Sequence, residues 1–217
     1  MSADGYDWYF DFISPFAYLQ WRRLWRDEPA LARQLRPRPV LLAALLGHWG
    51  QLGPAEIPGK RVHTYRQVLW QARAAGIPLR FPPAHPFNPL PALRLCLAAP
   101  DRVGATCALF AHLWEDGRAG DSAEALADVG RALHVEDVAS AIAAPELKQH
   151  LAANGAEAIA LGIFGVPTLV IDGQLFWGND STAMAQAYLA NRALFDDPDM
   201  RRVDTIPAAV QRQVAKA

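Results

Sequence analysis

The sequence predicts an α/β fold whose sheet is interrupted by a long, all-helical insertion. Three stretches carry this. The first forty or so residues read strand, helix, strand; the last seventy read helix, strand, strand, helix; and what lies between shows helical periodicity without strand-like alternation. At 217 residues, 52% hydrophobic and 20% charged, the chain is long enough for one large domain or two intimate ones. The expected division is a discontinuous domain, 1–44 and 145–217, enclosing an inserted helical domain, 45–144.

Each element has a local reason. Residues 7–13 alternate aromatic and polar side chains, as a strand does, and stop at Ser14-Pro15. Residues 15–27 place Phe16, Leu19, Trp21, Leu24 and Trp25 at helical spacing. Residues 36–42 form a second strand interrupted by proline, and 47–59 a Gly/Pro-containing loop. Helical patterns follow at 60–75, 92–98, 103–115, 123–133 (with Asp121 or Ser122 as cap) and 136–143. Between the first two, the prolines of "IPLRFPPAHPFNPLP" forbid a continuous helix. Residues 145–161 open with Pro145, well suited to a first helical position. The runs 168–171 and 174–177, joined by Asp172-Gly173, predict a tight hairpin. A last helix covers 184–194.

Composition removes several function classes. A formal net charge of −1 with no basic stripe gives nucleic acid or a membrane surface no footing. No apolar run approaches the ~20 residues of a membrane span, and the N-terminus lacks the basic and apolar regions of a secretory signal; a cytoplasmic protein is expected. Cys96 and Cys107 form neither a CxxC pair nor a metal spacing, and the six histidines are scattered, so no metal site is predicted. There is no P-loop, GxSxG or GxGxxG.

Chemistry is expected where the first strand hands over to the first helix, in "YFDFISPFAYL". Ser followed by Pro is an ideal helix cap and first-turn pair, needing no function. "GVPT", with Val166 and Pro167, starts the first strand of the hairpin, and "GND", with Asn179 and Asp180, precedes the last helix. Each has a plain structural reading too, as a strand start and a cap. Taken together, "DFISPFAYL", "GVPT" and "WGND" around a helical insertion resemble the kappa-class glutathione transferases and the 2-hydroxychromene-2-carboxylate isomerases. "GPAEIPGKR" and "FPPAHPFNPLPALRL" look more like the isomerase branch. The resemblance implies a thioredoxin-like fold of the DsbA type, with serine where the disulfide oxidants carry their first cysteine.

With Ser14-Pro15-Phe16-Ala17 in the CxxC position, dithiol exchange is chemically excluded there, since it needs two thiols. The resemblance implies glutathione as cofactor, its thiolate favoured by the helix N-terminus and a Ser14 hydrogen bond. Val166 and Pro167 would pair with the cysteinyl backbone, Asn179 and Asp180 would meet the γ-glutamyl end, and Lys60 or Arg61 a carboxylate. The family's asparagine before that lysine is replaced, with Gln51 the amide on offer. Trp49, His63, Phe87, Asn88 and Arg94 are candidates for the substrate wall, although the aromatics could equally be core.

The reaction implied is cis–trans isomerisation of an aromatic oxo-acid. Thiolate adds reversibly to the conjugated system, the bond rotates and elimination restores it; Lys60 or Arg94 would anchor the acid. Partners are then glutathione and a small-molecule substrate, and relatives suggest a homodimer. Three alternatives stay open: a kappa-type transferase or peroxidase, a non-catalytic thioredoxin-fold binding module, and a serine hydrolase with Ser14 as nucleophile.

Overall fold

The computed structural model describes residues 5–210; the outermost parts of the expected discontinuous domain, 1–4 and 211–217, lie outside them. Four strands form one sheet in the order β2-β1-β3-β4. β1 (Tyr6–Phe10) runs parallel to β2 (Leu35–Pro39) and antiparallel to β3 (Thr168–Ile171), which pairs with β4 (Gln174–Trp177). Trp8 faces Pro37 on one side and Leu169 on the other. β2 carries two prolines and lies at an edge, where missing N–H donors are tolerated. The β3–β4 turn is Asp172-Gly173, both with positive φ (51° and 80°), as the tight hairpin requires.

Eleven helices are seen among the described residues: α1 (Pro15–Asp27), α2 (Pro29–Ala32), α3 (Leu42–Trp49), α4 (Pro58–Ala74), α5 (Leu90–Ala98), α6 (Arg102–Phe110), α7 (Ala127–Ala132), α8 (Val138–Ala143), α9 (Pro145–Ala160), α10 (Thr182–Ala190) and α11 (Pro198–Val203). No strand interrupts the stretch from β2 to β3 among them. Of the described residues, those up to Thr182 include the whole sheet and α1 to α9 and form one compact unit; those from Ala183 onward form a second, in which Tyr188 and Phe195 stack 5.2 Å apart.

The aromatic alternation of β1 divides the core. Trp8 and Phe10 stack 4.6 Å apart and meet Trp21 of α1 and Phe110 of α6, all almost fully buried. Tyr9 points to the other face, into a cluster of Val40, Leu45, Ala158, Ile163 and Val166. The helix expected over 123–133 begins only at Ala127 and that over 184–194 ends at Ala190, and two further expectations needed larger correction. The second strand ends at Pro39, and the chain then forms α3 through Trp49, where the sequence suggests strand and loop; an eight-residue apolar helix leaves little periodicity to read, and Gly50 (φ 62°) stops it. The helix expected over 103–115 is regular only to Phe110, after which one widened turn covers Ala111–Glu115.

Candidate active site

The site begins with hydrogen-bond accounting at the end of β1. Ser14 heads α1 in an extended conformation, and its Oγ accepts from the Ala17 N–H at 3.2 Å. Its carbonyl accepts from Tyr18 at 3.2 Å. Pro15 has no N–H to give. Among the described residues this leaves the Phe16 N–H as the first-turn donor without a partner. Because Oγ serves as acceptor, the Ser14 hydroxyl hydrogen also remains to be donated. An anionic atom placed here would meet two hydrogens and the positive end of a thirteen-residue helix.

The segment leading into Ser14 is held from three directions. Asp11, fully buried, accepts from the Ile13 N–H at 3.0 Å and from the Leu42 N–H at 2.8 Å, tying β1 to α3. Burial outweighs those two donors and raises its carboxyl to about 7. Trp114 donates from Nε1 to the Phe12 carbonyl at 2.8 Å, and His85 Nε2 lies 2.8 Å from the Ile13 carbonyl. Tyr65 of α4 reaches His85 Nδ1 at 2.6 Å. Rings of Tyr65, Phe81, His85, Phe87 and Trp114 pack edge to face, or tilted, with centroids 4.7–6.1 Å apart.

Next to the end of β1, where Tyr9 pairs with Thr168, comes the turn into β3. The Val166-Pro167 bond is cis, and neither the N–H nor the carbonyl of Val166 has a hydrogen-bond partner among the described residues. A Cβ at Gly165 would sit 2.7 Å from Nε1 of Trp177, so any larger residue there would displace that indole. After β4, Gly178 takes φ 89° and its carbonyl accepts from Gln20 Nε2 at 3.0 Å, fixing "GND" to α1. Gln20 in turn accepts from Trp8 Nε1 at 2.7 Å.

The remaining expected residues divide by what they touch. Asp180 is exposed, whereas Asn179 is buried with its amide donating to Gln71 of α4 at 2.9 Å, so that side chain acts as a brace. Lys60, Arg61, His63 and Gln51 are exposed, the first three on α4. Trp49 donates to the Ile163 carbonyl at 3.0 Å, close in sequence to Val166. Phe87 packs on His85, while Asn88, in the turn before α5, accepts from the Leu90 N–H at 3.1 Å. Arg94 donates to the Ile142 carbonyl of α8 at 3.3 Å, a helix-to-helix tie. A cavity of about 380 Å³ lined by Arg36, Arg38, Arg102, His150 and Asn154 includes none of the expected site residues. Sequence reasoning missed Asp11, Tyr65, His85 and Trp114. A buried-type acid inside an aromatic strand was the one readable signal, for Asp11.

The profile of the DsbA-like thioredoxin domain family matches residues 7–190. A 2-hydroxychromene-2-carboxylate isomerase of Sphingobium xenophagum is 29% identical over 195 residues, covering 84% of this chain and 96% of that protein. Glutathione S-transferase kappa 2 of Caenorhabditis elegans is 26% identical over 202 residues, 84% and 90% of the two chains. Among solved structures, that of a 2-hydroxychromene-2-carboxylate isomerase superposes with a TM-score of 0.76 over 90% of this chain and 98% of its own, at 24% identity. The α/β architecture, the serine-headed first helix and these matches agree: the chain belongs to the DsbA-like thioredoxin family, in the group of 2-hydroxychromene-2-carboxylate isomerases and kappa-class glutathione transferases.

Proposed function

We propose that the chain is a glutathione-dependent enzyme of the isomerase kind, interconverting the cis and trans forms of an aromatic, α,β-unsaturated oxo-acid. The observation that carries this is the pair of unclaimed hydrogens at the head of α1, on Ser14 Oγ and Phe16 N. A hydrolase would need a base beside Ser14, and the described neighbour of its Oγ is a backbone N–H.

The residues present fit a thiol-bearing tripeptide. Val166 offers an N–H and a carbonyl free of other partners, the arrangement an added strand uses. Asp180 supplies an exposed negative charge for an ammonium group, and Lys60 and Arg61 exposed positive charges for the carboxylates of tripeptide and substrate. Lys60 is preferred over Arg94 as the acid's anchor, because Arg94 is engaged with α8. Glutathione would supply a thiolate nucleophile that adds reversibly to the conjugated double bond and frees it to rotate. Ser14 and the Phe16 N–H hold negative charge at that sulfur, and the Phe87 and Trp49 rings wall the substrate. The inserted segment 45–144 is proposed to shape that pocket, in a cytoplasmic homodimer.

Ultraviolet difference absorbance of bound glutathione tests the reading. Wild type is expected to lower the thiol pKa. Ser14→Ala is expected to raise it again by about one to two units, the worth of one charge-assisted hydrogen bond, with turnover falling about 10- to 100-fold. An ordinary thiol pKa in wild type would defeat the proposal. The kappa 2 relative favours one second reading, a transferase. Isomerisation leaves total glutathione unchanged, whereas transfer to an electrophile consumes it.

A further inference from the structure

We propose that His85 is a positioning residue for Ser14: held by Tyr65, its ring fixes the Ile13 carbonyl and with it the head of α1. The inference deepens the proposed function and, for its catalytic consequence, rests on it. The bonding fixes the ring's hydrogens. A carbonyl only accepts, so the nitrogen 2.8 Å from Ile13 O must carry hydrogen, which makes Nε2 the protonated nitrogen. In the neutral ring Nδ1 is then bare, and the Tyr65 hydroxyl 2.6 Å away is its donor. That same hydroxyl lies 2.8 Å from the His85 carbonyl, which also only accepts, so its single hydrogen is shared between the ring nitrogen and the backbone oxygen. Trp114 and Phe87 flank the ring and prevent it from swinging aside.

What the ring holds is the reason to assign it a role. Phe12 O is taken by Trp114, Ile13 N by Asp11, Ile13 O by His85, and Ser14 N by the Asp11 carbonyl at 3.0 Å. Three of these are met within the first half of the thioredoxin-like core or by the indole. His85 is the clamp on the peptide unit that joins directly to Ser14, supplied from 72 residues away. Releasing it leaves that peptide held by the Ser14 N–H bond to Asp11 alone, so the unit can tilt and the serine's hydroxyl with it.

Amide hydrogen exchange of Ala17, whose N–H reports the Ser14 Oγ cap, tests this without ligand. His85→Ala is expected to speed that exchange about tenfold, the worth of one hydrogen bond. His85→Gln, which can still donate to Ile13 O, is expected to stay within about twofold of wild type. Unchanged exchange in His85→Ala overturns the proposal, as does an equal rise at the Trp8 amide in mid-sheet, which would mean general loosening. Should His85→Ala not fold, Tyr65→Phe carries the test: exchange several-fold faster supports it, and unchanged exchange overturns it. With glutathione bound, His85→Ala is expected to raise the thiol pKa by about one unit, with Gln restoring it. If wild type binds no glutathione, the proposed function fails while the Ala17 exchange still decides the role of His85.

Discussion

A serine hydroxyl has one hydrogen and two lone pairs, and at the head of α1 these separate into two tasks. A lone pair caps Ala17, which leaves the hydrogen for a ligand. That capping role was legible in the sequence because strand, Ser-Pro and helix are contiguous. Asp11 was not, since what it does depends on Leu42, 31 residues on, and on complete burial. Its carboxyl keeps its proton up to about 7 in the folded chain, against 3.8 for the ordinary group. The folded state therefore binds more protons between those values, so stability falls as pH rises through the window, by up to about 4 kcal/mol once above it. Thermal melts from pH 4 to pH 8 should show this decline in wild type and a flatter profile in Asp11→Asn. Equal slopes in the two proteins would remove Asp11 as the cause. His85, Tyr65 and Trp114 escaped for the same reason as Asp11: their partners lie 20 to 102 residues away, where no spacing rule reaches.

At the level of elements, β1 shows how a period of two becomes two cores. Trp8 and Phe10 enter one aromatic stack with Trp21 and Phe110, and Tyr9 enters an aliphatic cluster on the other face. Phe110 touches Trp8, Phe10, Phe12 and Tyr18 at centroid distances of 4.8–6.2 Å, and its ring is fully buried. Phe110→Ala should cost about 3–5 kcal/mol in denaturant unfolding, whereas the same change at the exposed Trp70 of α4 should cost little. A Phe110→Ala loss under about 1 kcal/mol would show that the stack is not the core it looks to be. The hairpin and β1 were readable because alternation and Asp-Gly are strong local signals. α3 was hidden because a short, mostly apolar run can suit either structure, and its first N–H is held by Asp11 from 31 residues away, beyond any local pattern.

Across the whole molecule, the two halves of the candidate site come from opposite ends of the sequence. Ser14 follows the central strand β1, while Val166 and Pro167 lead into β3 beside it. The Asn179–Gln71 bond, spanning 108 positions, ties the segment after β4 to α4. Chain order and fold class were legible because each end carries a self-contained pattern; the pairing of β1 with β3 follows only once the family is known. This arrangement has a consequence for the newly made chain. A ribosome delivers Ser14 well before β3, and β1 lacks its antiparallel neighbour until β3 has left the exit tunnel. Throughout that interval the serine-headed helix can have no binding counterpart. A nascent chain arrested with residue 160 just emerged should therefore fail to retain immobilised glutathione, and a released full-length chain should retain it. On that reading the proposed glutathione site is completed in one step, when β3 pairs with β1.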